Sequence, residues 1–247
     1  MRIPRIYHHQ PLKNRDQVTL PPPATRHLLT VLRLKTGAPL VLFDGSGFEF
    51  EAVLEKADRK HAMIAISRMH GPAVESPLQI TLAQGISRGE RMDYTVQKAV
   101  ELGIAAIIPL HTERSVVRLN EKTALRKRQH WQQIAISACE QSGRVRLPEI
   151  QLPVQLRDFL AARQPPGLKL LLDPQAAETI GGLPKPAGHD VLLLVGPEGG
   201  LEQSERDAAK RAGFQGVQLG PRVLRTETAA LVALSLLQAR WGDLGGV

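Results

Sequence analysis

Apolar and polar positions along this chain keep one rhythm for about the first seventy residues and another afterwards. In the first stretch the rhythm is mostly twofold. PLVLF, Pro39 to Phe43, runs into the turn cluster Asp44-Gly45-Ser46-Gly47, and FEFEAVL from Phe48 then alternates apolar with charged residues, as a hairpin strand with one face in water does. After a second turn at Ala57 to Lys60, HAMIAIS from His61 alternates again. ATRHLLTVLRLKTG from Ala24 is the exception, with apolar residues at helical spacing and Gly37 as a stop. The pattern predicts a small β-barrel of about 70 residues that contains one or two helical turns.

Gly71-Pro72 and Ser76-Pro77 punctuate the chain, and the rhythm changes there. LQITLAQ predicts a strand, ERMDYTVQKAVELG a helix with Met92, Val96, Ala99 and Val100 on one stripe, and IAAIIPL a buried strand; together they make a βαβ unit. A long helix is expected from Glu121 to about Gln141, then strands at LKLLLDP and VLLLVGPEGG. A helix to Ala212, a strand at GVQLG and a last helix from about Thr226 to Trp241 complete the series. Strands rich in Leu, Ile and Val with little alternation belong to a parallel sheet covered on both faces. The expected division is therefore 1–72 and 73–247, an α/β protein with a β domain in front.

Composition narrows the class. The one cysteine, Cys139, excludes an intramolecular disulfide and a multi-cysteine zinc site, suits a reducing compartment, and is expected to serve as a small apolar residue on its helix. No apolar run approaches the roughly 20 residues a membrane span needs, and MRIPRIYHHQ lacks the apolar core of a secretion signal, so a cytoplasmic location without membrane attachment is expected. The eight histidines lack metal-ligand spacing, so no metal is assigned. Arg126, Lys127 and Arg128 form a charge run of the kind that usually faces solvent.

Formal charge is +8, unevenly spread. Residues 1–70 hold eleven Lys and Arg against six Asp and Glu, a balance of +5, whereas residues 71–247 hold twenty-one against eighteen, a balance of +3. A basic front segment fits a polyanionic partner, because neutralising phosphates releases condensed counterions. It equally serves solubility. Aromatics are only 4% of the chain, so recognition of RNA would lean on shape and phosphate contacts rather than on stacking.

The richest chemical signal is GPEGG, Gly196 to Gly200, between a strand and a helix. Glycines at the carboxyl end of a parallel strand let backbone approach a ligand, and open α/β sheets bind ligands at that edge. Neither a Walker A lysine nor G-x-G-x-x-G is present, and taken alone the loop could be an ordinary turn. A second such turn follows where the strand GVQLG ends at Gly220, after which PRVLRTETAALVALSLL begins a helix near Thr226, whose hydroxyl could cap it while Glu227 suits the dipole. Two loops of this kind can converge on one site, and without a run of donors plus lysine they suit an uncharged heterocycle better than a phosphate.

GPEGG followed by Glu205, LGPRVLRTETAA from Leu219, RMDYTVQKAVELGIAAIIPLHTERS from Arg91 and CEQSGRVRLPEI from Cys139 resemble, in order, segments of the RsmE family, and HLLTVLRLKTG is similar to the family's PUA-like domain. The resemblance spans nearly the whole chain. Glu202 departs from it, standing where the family tends to place a Ser, and predicts a changed cap with an intact loop. The resemblance implies a SPOUT-type parallel sheet with a C-terminal trefoil knot behind a PUA-like β-barrel. It also implies a homodimer that uses S-adenosylmethionine to methylate N3 of a uridine in 16S ribosomal RNA, acting within the small subunit.

By the same resemblance, cofactor contacts fall on Gly196, Pro197, Glu198 and Gly200 in the first loop and on Leu219, Gly220, Leu224 and Thr226 in the second. Leu172 and Leu194, at neighbouring strand ends, line the pocket or the core. Arg144 and Arg225 are the candidate catalytic residues, since a guanidinium beside the uracil carbonyls would stabilise the developing imide anion. Glu140 and Glu227 both remain open as the base. Arg2, Arg5, His27 and Arg33, with His8 and His9 near the first two, are candidate RNA contacts. The competing readings are a SPOUT methyltransferase acting on tRNA or on a ribose 2′-OH, and a cofactor-free RNA-binding assembly protein.

Overall fold

The computed structural model describes residues 3–58, 60–163 and 166–245. They pack as two compact units, residues 1–75 with 139–147, and residues 76–138 with 148–247.

The first unit is built on a five-stranded sheet. Its strands are β1 (Arg5–Tyr7), β2 (Gln17–Leu20), β3 (Pro39–Phe43), β4 (Glu49–Ala57) and β5 (Ala62–His70), in the order β1-β3-β4-β5-β2. β1 runs parallel to β3, and the other pairs are antiparallel. The twofold rhythm of β4 works as expected: Phe50, Ala52 and Leu54 face a core with Leu28, Leu42 and Ile64, while Glu51 and Val53 face out. Where the rhythm predicts a barrel, the pairing among the described residues is an open path that ends on strands of three and four residues. The helical stretch is shorter than its apolar spacing predicts. Helix α1 (Pro22–Arg26) passes into a π-helical turn at His27–Val31, and Arg33 then takes a left-handed backbone (φ 53°) that ends the helix short of Gly37.

Residues 139–147 complete this unit. Cys139 is fully buried, and desolvation pushes its thiol up to about 12, which fits the inert apolar role expected of it. Glu140 accepts the Tyr7 N–H at 3.0 Å. Burial raises its carboxyl above the ordinary value against the pull of that hydrogen bond.

The second unit is a seven-stranded sheet with every pairing parallel. Its strands are β6 (Gln79–Gly85), β7 (Ala106–His111), β8 (Glu149–Ile150), β9 (Val154–Gln155), β10 (Leu168–Leu172), β11 (Asp190–Val195) and β12 (Gln215–Val217). The order is β12-β10-β11-β6-β7-β8, with β9 also paired to β7. Helices α2 (Glu90–Glu101), α3 (Glu121–Ser142), α4 (Leu156–Ala161), α5 (Gln203–Arg211) and α6 (Thr226–Trp241) connect them. The central strand β11 is buried from Val191 to Val195, as a strand covered on both faces must be. Met92, Val96, Ala99 and Val100 form the buried stripe of α2, which packs on α6. Among the described residues no helix is long and apolar enough to cross a membrane.

Candidate functional site

A cavity of about 460 Å³ opens at the carboxyl ends of β10, β11 and β12, the edge where a parallel sheet presents its loops. Leu172, Val195 and Val217 end those strands and supply apolar wall. The loops 196–200 and 219–225 and the first turn of α6 close it. Every residue that the sequence assigned to the two loops, Gly196, Pro197, Glu198 and Gly200 with Leu219, Gly220, Leu224 and Thr226, lines this one cavity, and Arg225 joins them. Leu172 lines it too. Leu194 does not: it is fully buried in the core with Ala83, Ile108 and Leu171, because alternation along β11 sends the next residue, Val195, to the cavity instead.

The first loop is held by its neighbours rather than by its own length. Gly200 N–H donates to the Pro197 carbonyl at 2.8 Å, and Gly200 takes φ 68°, a conformation that glycine adopts without strain. Gly85, ending β6, lies so close beneath that a Cβ there would meet the Pro197 nitrogen at 2.4 Å. Gln84, wholly buried, donates from Nε2 to the Gly196 carbonyl at 3.3 Å and to Thr226 Oγ1 at 2.9 Å. Thr226 Oγ1 in turn donates to the Gly196 carbonyl at 2.6 Å. The Thr226 hydroxyl therefore does not cap α6 as the sequence suggests. Arg225 is the residue at the cap position, and the hydroxyl is spent on tying the start of α6 to the first loop.

A second set of contacts is ionic. Glu198 Oε1 accepts the Arg88 N–H at 2.8 Å and Arg91 Nη1 at 2.9 Å. Partial burial pushes the Glu198 carboxyl up, but these donors outweigh it and leave it below the ordinary range. Arg114 Nε reaches Glu202 at 2.6 Å while its Nη1 donates to the Gly199 carbonyl at 3.0 Å, strapping the loop to the segment after β7. Glu202 sits at the cap of α5, and Glu205 Oε2 accepts its N–H at 2.9 Å, the return half of a capping box. The changed residue at Glu202 thus leaves loop and cap in place, with its carboxylate engaged by Arg114.

Glu227, in the first turn of α6, has Oε1 at 4.0 Å from Arg91 Nε and a buried Oε2 with no hydrogen-bond partner among the described residues. It lines the cavity. Arg225 is exposed beside it.

The other candidates lie in the first unit. Arg144 is buried there: Glu75 Oε2 accepts its Nε at 3.0 Å and its Nη2 at 2.7 Å, while Glu75 Oε1 accepts the N–H groups of Val145 and Arg146 at 2.9 Å each. Arg5 turns inward, pairing with Glu49 and donating to the Arg144 carbonyl at 3.2 Å, with its guanidinium over the Phe43 ring; its charge is spent inside the unit. His8 is buried and bonded to the Gln10 carbonyl, whereas His9, His27 and Arg33 are exposed. Arg2 lies outside the described residues. Gln84, Arg91, Arg114 and Glu75 carry much of this geometry; Arg91 and Arg114 fall in the segment from Arg91 to Ser115 that carries the resemblance, whereas no local pattern marks Gln84 or Glu75.

Two domain families match the chain: an RNA methyltransferase domain over residues 74–238 and an RNA methyltransferase PUA domain over residues 20–67. The ribosomal RNA small subunit methyltransferase E of Buchnera aphidicola subsp. Schizaphis graminum is 35% identical over 98% of both chains. Its Bacillus subtilis counterpart is 32% identical over 85% of both. Among solved structures, the ribosomal RNA small subunit methyltransferase E of Neisseria gonorrhoeae bound to S-adenosyl methionine is 41% identical and covers 98% of this chain and 99% of its own, with a TM-score of 0.91. A Legionella pneumophila protein in complex with the bound cofactor SAM is 43% identical over 99% of this chain and 100% of its own, with a TM-score of 0.93.

Proposed function

We infer that this chain, which belongs to the ribosomal RNA small subunit methyltransferase E family, transfers a methyl group from S-adenosylmethionine to N3 of a uridine in 16S ribosomal RNA. The observation that carries the reading is one cavity at the strand ends, lined by both glycine-bearing loops.

The residues present fit the methyl donor. Leu172, Val195, Val217, Leu219 and Leu224 give apolar surface for a flat heterocycle, and loop backbone at Gly196, Pro197, Gly200 and Gly220 can come close to its edge. The volume falls within the range of about 300–1,000 Å³ usual for small-molecule sites. When bound, the cofactor supplies an electrophilic methyl group. The chain's own work is then to hold the reacting nitrogen in line with that methyl, to exclude water and to disperse the charge that develops on the base. Arg225, exposed and lining the cavity, is the guanidinium that this reading sets against the uracil oxygens. Arg144 is the second guanidinium of this proposal, supplied by the partner subunit of a homodimer.

The same reading includes a SPOUT-type arrangement with a C-terminal trefoil knot, a PUA-like β-barrel at residues 1–72 before a methyltransferase domain at 73–247, and RNA contacts from the basic front segment. It places the enzyme in the cytoplasm, acting on the assembled small subunit. Calorimetry and nucleoside mass mapping test the reading. The protein should bind S-adenosylmethionine and not ATP, and ribosomal RNA from a deletion strain should lack one N3-methyluridine. Saturable ATP binding with no response to the methyl donor, or unchanged methylation in the deletion strain, would refute it.

A further inference from the structure

Uridine N3 carries a proton that must leave when the methyl arrives, and the sequence leaves Glu140 and Glu227 open as its acceptor; Glu198, also in the cavity lining, is engaged by Arg88 and Arg91. The structure separates the first two. Glu140 already has its carboxylate engaged, accepting the Tyr7 N–H at 3.0 Å inside the first unit. Glu227 lines it, with a buried carboxylate oxygen that has no partner among the described residues. A buried carboxylate oxygen left without a donor costs free energy unless a ligand completes it. Because Glu227 lines the cavity, a ligand seated there is a source of that donor.

We propose that Glu227 Oε2 is the acceptor for the N3 proton of the target uracil, and so the general base of methyl transfer. The assignment rests on the reading given under Proposed function. Three features suit Glu227 to the task. Its place in the first turn of α6 favours negative charge through the helix dipole. Arg91 Nε, 4.0 Å from Oε1, steadies the carboxylate without occupying Oε2. The bond from Thr226 to Gly196 fixes the helix turn that carries it. In the step, the N3–H bond breaks and its proton passes to Glu227 Oε2. The N3 electron pair forms the bond to the methyl carbon, and the pair of the breaking carbon–sulfur bond returns to sulfur, which becomes a neutral thioether. The protonated carboxyl then returns its proton to water.

Glu227→Gln keeps the shape and removes the acceptor charge. Turnover should fall by about a hundredfold or more, the scale of general-base catalysis, while calorimetric affinity for S-adenosylmethionine and for its demethylated product stays within a factor of about three, well under 1 kcal/mol. The rate of the variant should climb steeply with pH, because the imide must now ionise to solvent first, and the wild type should climb less. RNA carrying 5-fluorouridine at the target, whose imide is more acidic, should recover much of the loss in the variant and change the wild type little. Glu227→Asp, which retains a carboxylate, should keep the wild-type form of the pH profile at a lower rate.

Parallel pH profiles for wild type and Glu227→Gln with no recovery on 5-fluorouridine would overturn the proposal and leave Glu227 a structural part of the helix start. A tenfold or greater loss of cofactor affinity, about 1.4 kcal/mol, would overturn it in favour of a cofactor contact. Failure of the underlying reading is distinguishable, because wild-type product would then carry its methyl on ribose or on another base, whatever the variants do.

Discussion

Thr226 and Gly196 are bound across 30 residues of chain: the Thr226 hydroxyl donates to the Gly196 carbonyl at 2.6 Å and itself accepts Gln84 Nε2 at 2.9 Å. Thr226→Val keeps the volume and removes both bonds, leaving buried polar groups short of partners at a cost of about 1–3 kcal/mol. Denaturant unfolding should register that loss, and calorimetry should show weaker binding of S-adenosylmethionine. Thr226→Ser should restore both. An unchanged affinity in the valine variant would mean that the tie has no part in shaping the cavity.

Acid should loosen the first loop before it unfolds the protein. The Glu198 carboxyl sits below the ordinary value of 4.5, so its clasp with Arg88 and Arg91 contributes fully above that value and is lost as pH falls through the lowered one. Cofactor affinity should accordingly be flat above the ordinary carboxylate range and decline below it. In Glu198→Gln the affinity should be weaker at neutral pH and lack that acid limb. A wild-type acid limb that persists in the glutamine variant assigns it to another group.

The exposed Arg33 and Lys35 give a clean probe of RNA binding by the first unit. Reversing both to Glu should weaken RNA binding and lower the slope of log affinity against log salt by about one for each phosphate that the two cations neutralise. Cofactor affinity should not change. Surface reversal is preferable to deleting residues 1–70, because Cys139 and Val145 are buried in that unit and would be stripped of their packing. An unaltered salt slope would move the RNA surface elsewhere.

Arg144 and Arg225 can be tested as members of one site by mixing. Arg144→Ala and Arg225→Ala should each lower turnover by roughly a hundredfold or more while cofactor binding is kept. Heterodimers assembled from the two variants would contain one site with both arginines, so a fraction of activity should return. Arg144 carries a structural burden as well, since removing it leaves Glu75 without its guanidinium; cooperative melting of that variant is the necessary control. Inactive mixed dimers, shown to form by tagged co-purification, would confine Arg144 to holding the first unit together.

Much of the fold is legible from local pattern, and the omissions have a common cause. Helix α6 begins at Thr226 and ends at Trp241, as its apolar run predicts, and β6-α2-β7 is the βαβ unit read from alternation giving way to helical spacing. The two loops are legible because a pair of glycine-bearing strand ends, each ordinary when taken alone, falls in segments that carry the family resemblance. Strands β1, β2, β8 and β9 are two to four residues long, too short for any period to show. Thr226 reads as a cap because its position before an apolar run fits one; only the fold brings Gly196 within reach of its hydroxyl. The Arg144 clasp is hidden for the same reason, since Glu75 is 69 residues away in the chain.

The Gln84 to Thr226 hydrogen bond joins residues 142 apart in the chain, and that separation has a kinetic meaning. During synthesis β6 is made long before its partner exists, so the Gln84 amide must wait for α6 to arrive. Contacts closed over so long a loop form late in folding, after their entropic cost has been met. A ligand seated behind such a latch finds nothing to grip in the early ensemble and everything in the finished one. The methyl donor should therefore slow unfolding and leave the folding rate nearly unchanged, holding the chain in its native state without helping it get there.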